Sequence, residues 1–234
     1  MELLSIGSEL IPVAESMSAF ITDGGKRFRP IFANIGYLGA GHELRNEVLR
    51  ASIALELVHV CALIHDDLMD GSDMRRNRPA IHKFFENVHT KNSYEGVKER
   101  FGAAAAILLG DLALVWADRA FHESGISNVE IATSFPIFTL MREELMAGQY
   151  LDVLEGALAT RDIERSLKVA RFKSGKYSIE RPRIITSCGA LQRCESLITE
   201  LRDRALLALR SSAIDRKILP MLEEMALVAT ERNV

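Results

Sequence analysis

Apolar positions in this chain recur every three or four residues over most of its length, and strict alternation is scarce. The sequence therefore reads as helix after helix. Ser8 to Ile21 carries such a stripe and is broken by Asp23-Gly24-Gly25. Pro30 suits the first turn of a second helix, which Gly39 to Gly41 can end. Glu47 to Asp70 is apolar almost all round, as expected of a helix buried inside a bundle. Glu99 to Glu123, Val129 to Leu154 and Arg161 to Glu180 predict three more helices. The last has Thr160 as its N-cap and Asp162 and Glu164 in its first turn. Leu197 to Arg232 is helical in composition, with Pro220 as an interruption. No repeat or low-complexity linker divides the chain, so an all-α fold in one domain over residues 1–234 is expected.

Composition narrows the function classes. With 26% charged residues and a net charge of -3, the chain has no bulk attraction to nucleic acid or anionic membrane. Any polyanion must be held by local basic clusters. Three cysteines without Cys-x-x-Cys spacing argue against a disulfide framework or a zinc site and point to a reducing cytoplasm. Met1-Glu2-Leu3-Leu4 lacks the basic lead of a secretory signal. The most apolar run, Ala103 to Leu109, is too short to span a bilayer, and no transmembrane segment is expected.

Chemistry concentrates at His65-Asp66-Asp67-Leu68-Met69-Asp70. Asp66 and Asp70 are four apart and share a helix face, a spacing that suits Mg²⁺, which takes one or two carboxylates and fills its shell with water and phosphate oxygens. Asp67 points about 100° away and is the weaker ligand. Taken alone, the motif is as well explained by a solvated acidic helix end. Basic residues flank it on both sides: Met74-Arg75-Arg76-Asn77-Arg78 follows, and Gly24-Gly25-Lys26-Arg27-Phe28-Arg29-Pro30 precedes. Glycines beside cations make a diphosphate cradle, and arginine forks bind phosphate oxygens in pairs. Gly25-Lys26 is followed by Arg27 rather than Ser or Thr, so the loop is not a Walker A motif. His59, seven residues before Asp66, lies on the carboxylate face roughly 10 Å away. Gln149 and Asp152 form another polar pair, and Lys173-Ser174-Gly175-Lys176-Tyr177 adds cations, with Lys173 and Tyr177 on one face of the predicted helix.

This set resembles the polyprenyl synthetase family, the trans-isoprenyl diphosphate synthases. The matching pieces fall in the family's order: Gly25 to Pro30, Asp66 to Asp70 with Arg75-Arg76, Leu109-Gly110-Asp111-Leu112, Gly148 to Asp152, and Lys173-Ser174. The resemblance covers most of residues 20 to 182. It implies an isoprenoid-synthase-type all-α bundle around a deep central cavity, as a homodimer. By the same resemblance, Asp66 and Asp70 hold Mg²⁺ against an allylic diphosphate (dimethylallyl, geranyl or farnesyl), which Arg75, Lys173 and Gln149 contact. Lys26, Arg29, His59 and Arg76 form the isopentenyl diphosphate site, with Arg27 sitting between the matched positions. The backbone carbonyl of Lys173 and the hydroxyls of Ser174 and Tyr177 help stabilise the allylic cation. Cys61 and Ala62, with Val58 deeper along the helix, set product length. The family stops growth at fifteen carbons with bulky aromatics at the first two of these positions, so a longer product, geranylgeranyl diphosphate, is expected. Trp116 is a candidate floor.

The sequence departs from the family in one respect. The family's second aspartate-rich motif, downstream of Lys173, is absent, and several helices are missing near the Pro182–Arg183 junction. Two explanations compete: a segment belonging near 182–183 is left out of this sequence, or the chain is a non-catalytic partner subunit of a heteromeric synthase. The first is expected, because a splice removing core helices exposes a large apolar cavity. A terpene cyclase shares the aspartate motif but has no use for the second diphosphate site.

Overall fold

The computed structural model describes residues 2–158, 162–186, 203 and 207. The described chain is helical apart from one two-stranded ribbon, and its packing groups it into two compact units. The first comprises the residues up to 30 together with 46–127; the second comprises 31–45 and the residues from 128 onward.

In the first unit, helix α1 spans Ile11–Thr22, after a short 3-10 turn at Ser8–Leu10, and has Pro12 in its first turn. Gly24 and Gly25 then take positive φ values of 74° and 87°, which glycine reaches without steric cost, and the chain turns into α2, Phe28–Gly39, which belongs to the second unit from residue 31 onward. Helix α3, Asn46–Met69, buries residues on every side, including Val48, Leu55, Val58, Cys61, Ile64 and Asp67. It packs most extensively against α5, Lys98–His122. Strands β1 (Met74–Arg75) and β2 (Arg78–Pro79) pair antiparallel across the two-residue turn Arg76-Asn77, where both residues have positive φ. The core gathers Met17, Val60, Cys61, Ile64, Phe85 and Leu109 with their neighbours.

Helix α4, Ile81–Lys91, was not anticipated from the sequence. Its signal is present: Ile81, Phe84, Phe85 and Val88 follow the i, i+3, i+4, i+7 pattern, and Phe85 is buried while Phe84 and Val88 pack against the same core. The run is short and sits among basic and acidic residues, which masks the stripe.

The second unit is built on α6, Asn128–Leu158, whose buried stripe Ser134, Phe138, Met141, Leu145 and Gly148 keeps a three-and-four spacing. The predicted helix from Arg161 to Glu180 differs in two ways. It begins as α7, Ile163–Ala170, capped by the Asp162 side chain, which accepts from the backbone N–H groups of Glu164 and Arg165; Thr160 lies outside the described residues. From Arg171 to Glu180 the winding is then π rather than α. The chain continues as α8, Arg181–Thr186, unbroken across the Pro182–Arg183 junction. The helical tail expected over 197–232 lies outside the described residues except for 203 and 207.

By length and composition alone, α3 and α5 could each cross a membrane, with a mean hydropathy of 1.6 in their most apolar windows. The run Ala103 to Leu109 is thus part of a longer apolar helix. The α3 window is 61% buried, the mark of a core helix.

Candidate active site

The three aspartates at the end of α3 divide by direction. Asp66 and Asp70 are one turn apart, the Asp70 N–H donating to the Asp66 carbonyl at 2.8 Å. Asp67 is turned into the interior and is 0% exposed. It accepts from Arg75 Nε with both carboxylate oxygens, at 2.9 Å each, and also from Arg75 Nη2. The hydrogen bond to Asp67, followed by the charges of Asp67, Asp66 and Asp70, holds the guanidinium firmly protonated. Arg75 Nη2 lies 3.9 Å from Asp66 Oδ2, so the buried Asp67 holds a cation beside the two outer carboxylates.

Those two carboxylates fit a hard divalent cation. Among the described residues no group of three His, Cys, Asp or Glu side chains could enclose a metal by itself. Two carboxylates with open coordination positions are the usual donor set for Mg²⁺ shared with a phosphate ligand.

Five arginines and a lysine lie upstream and downstream of this helix end, and the structure gives several of them different tasks. Arg27 has φ of 52° and turns inward, pairing with the buried Glu56 of α3 and donating to the Ile21 carbonyl at 2.5 Å. It anchors the loop, while its neighbour Lys26 is left exposed. Arg76, at the tip of the ribbon, donates through Nη1 to the Asp23 carbonyl at 2.6 Å. A β-carbon on Gly25 would come within 3.0 Å of Arg76 Nη2, so the glycine makes room for a guanidinium. Arg78 pairs with the Asp23 carboxylate at 2.6 Å. His59 feels these cations: burial first, then Arg29, Arg76, Arg75 and Arg27, pushes its pKa down to about 3, so the ring is neutral.

One turn before the aspartates, Cys61 is buried in the core, where burial and then the Asp111 charge push its thiol up to about 11. Its sulfur lies 3.7 Å from His65 Nδ1, and His65 Nε2 meets the Ile107 carbonyl at 3.2 Å and Asp111 Oδ1 at 3.8 Å. Val58 is buried, Ala62 half-buried, and Trp116 packs against the core cluster that contains Cys61.

The second unit carries Gln149, Lys173, Ser174 and Tyr177. Lys173 donates to Asp152 at 2.5 Å, and Ser174 is exposed. Tyr177 is only 2% exposed. Lys173 and Tyr177 lie in the segment wound as π, where residues four apart still fall on one side of the helix. Sequence reasoning missed Glu56, Glu144 and the anchoring roles of Asp67 and Arg27. Glu56 and Glu144 belong to no motif or spacing that marks a site, and their partners are distant along the chain.

The chain is similar to several known proteins. A geranylgeranyl diphosphate synthase of Methanosarcina mazei is 33% identical over 151 residues, 62% of this chain and 41% of that protein. A farnesyl diphosphate synthase of Geobacillus stearothermophilus is 31% identical over 192 residues, 76% of this chain and 57% of that one. The chain thus spans about half the length of these relatives. The crystal structure of a geranylgeranyl pyrophosphate synthase of Corynebacterium glutamicum, in complex with isoprenyl diphosphate and magnesium, superposes with a TM-score of 0.77 at 35% identity, covering 86% of this chain and 61% of that one. The polyprenyl synthetase family profile matches residues 12–196, a stretch that includes the paired aspartates, the arginine ribbon and the Lys173 segment, and the chain belongs to that family.

Proposed function

We propose that the protein is a trans-prenyl diphosphate synthase that joins isopentenyl diphosphate to an allylic diphosphate, with geranylgeranyl diphosphate as the product. The observation that carries this reading is the division of the aspartates: two outer carboxylates on one helix face, with an arginine locked beside them by the buried third. Magnesium held by Asp66 and Asp70 would supply neutralisation of the charge that develops on the leaving diphosphate. Arg75 adds a fixed cation to the same task. Lys26, Arg29, His59 and Arg76 are assigned to isopentenyl diphosphate, the neutral His59 acting as a hydrogen-bonding group among cations. Gln149, Lys173, Ser174 and Tyr177, on the second unit, keep the roles that the resemblance gives them. We further propose a homodimer in the cytoplasm. Leu108 and Val115, seven residues apart on one edge of α5, are 66% and 62% exposed and support a partner surface there.

The test is turnover: purified protein with Mg²⁺, an allylic diphosphate and isopentenyl diphosphate should release diphosphate and a prenyl product. Consumption of the allylic diphosphate without isopentenyl diphosphate would instead indicate a cyclase.

The partner-subunit reading has its own support, the missing second aspartate motif. Against it, the buried Nη1 of Arg183, directly after the junction, has no hydrogen-bond partner among the described residues. A buried donor without a partner is costly, and a segment belonging near 182–183 within one synthase domain would be placed to satisfy it. An intact chain mass above 26.0 kDa would support that segment; a chain mass of 26.0 kDa together with no turnover would favour the partner subunit.

A further inference from the structure

Helix α6 meets the π-helical segment along one stripe. Glu144, Gly148 and Asp152 are spaced by four and share a helix face. At the middle, a β-carbon on Gly148 would lie 2.5 Å from the backbone nitrogen of Lys173, so the two backbones meet there. At one end, Asp152 receives Lys173. At the other, Glu144 accepts from Lys176 Nζ at 2.6 Å and from Arg181 Nε and Nη2 at 2.8 Å each. These three side chains are only 13 to 16% exposed. Burial alone would raise the Glu144 carboxyl, but the hydrogen bonds from Arg181 and Lys176 outweigh it and leave the group below its ordinary range.

Lys176 and Arg181 are five residues apart. On an α-helix that spacing points two side chains about 140° apart, too far for one carboxylate to receive both. Here the Arg181 N–H donates to the Lys176 carbonyl, the five-residue bond of π winding, which stacks the two residues one turn apart. The double contact to Glu144 therefore depends on the winding.

We propose that Glu144 selects the π winding of residues 171–180 and thereby fixes the direction in which Lys173 and Ser174 are presented. Glu144 is a positioning residue and touches no substrate. Relaxation to α winding would turn each residue of the segment through a different angle and carry the Lys173 amine away from its place. The effect on catalysis rests on the synthase reading; the effect on winding does not.

The experiment compares Glu144→Ala and Glu144→Gln with Glu143→Gln, an exposed neighbour on the same helix. Amide hydrogen exchange over residues 172–181 should accelerate about tenfold or more in Glu144→Ala, less in Glu144→Gln, and not in Glu143→Gln. In turnover, Glu144→Ala should lower kcat/KM for the allylic diphosphate by about 100-fold, the scale of a small misplacement of a binding group. The KM for isopentenyl diphosphate should stay unchanged. Lys176→Met and Arg181→Met, which each remove one of the contacts, should reproduce the exchange change in part if Glu144→Ala does not fold. Unchanged exchange over 172–181, or a parallel rise in both KM values with a general loss of stability, would overturn the proposal. Absence of turnover in the unmodified protein would sink the synthase reading instead, leaving the exchange data to decide on Glu144.

Discussion

Arg75 and Asp67 form a fork-to-fork pair in which the carboxylate is wholly buried and the guanidinium reaches out toward Asp66. A residue inside an aspartate-rich motif is thereby a support for a cation rather than a metal ligand. Asp67→Asn should destabilise the protein by roughly 3 kcal/mol, since one partner of a buried pair is lost. Asp66→Asn and Asp70→Asn should leave the unfolding midpoint nearly unchanged while abolishing Mg²⁺-dependent turnover. Denaturation curves beside Mg²⁺ titrations of the three variants check this; an Asp67→Asn protein as stable as its parent would refute the supporting role.

His59 links the basic cluster to pH. Its pKa is depressed from 6.5 to about 3 by burial and then by the arginines around it. Below about pH 6.5 the unfolded chain takes up a proton that the folded chain refuses. The stability contributed by the neutral ring is complete above that pH and is lost progressively as pH falls toward 3. Urea midpoints should therefore fall less steeply on acidification in His59→Gln than in the parent. Inorganic pyrophosphate, by offsetting the arginine charge, should raise the His59 pKa in an NMR titration; no movement would take His59 out of the diphosphate site.

Product length should follow bulk around Cys61. Cys61→Phe places an aromatic ring in a packed cluster at the position expected to limit growth, and should shorten the product while costing about 1–3 kcal/mol from overpacking. Trp116→Ala should lengthen it. Chromatography of the dephosphorylated products reads both, and an unchanged distribution in the pair would place the tunnel elsewhere.

Gly148 has no room for a side chain where α6 meets Lys173. The atoms nearest to an added β-carbon are backbone, at 2.5 to 3.0 Å, and cannot swing aside. Gly148→Ala should lower Tm and turnover together, although alanine favours helix more than glycine does by about 1 kcal/mol. A higher Tm would mean that the two helices separate easily.

Long periodic stretches were legible because burial on one helix face imprints a spacing on the sequence. The predicted Glu47–Asp70 and Glu99–Glu123 lie within a residue of α3 and α5. Helix α4 was missed because eleven residues offer too few repeats of the pattern. The π segment could not be read at all: Lys173 to Glu180 has the composition of an ordinary polar helix, and its winding depends on contacts with α6.

The family, the helical architecture and the chemical inventory of carboxylates, guanidiniums and glycines were legible in the residues alone, because each motif is local and the chemistry of a side chain travels with it. How that inventory is shared out depends on contacts between distant segments. Asp67 went to Arg75, Arg27 to Glu56, Gly25 to the Arg76 guanidinium, and Glu144 to Lys176 and Arg181. Each partner lies 8 to 51 residues away along the chain. Whether a charge faces a ligand or a counter-charge depends on which distant segment is folded against it, and no spacing along one helix encodes that choice.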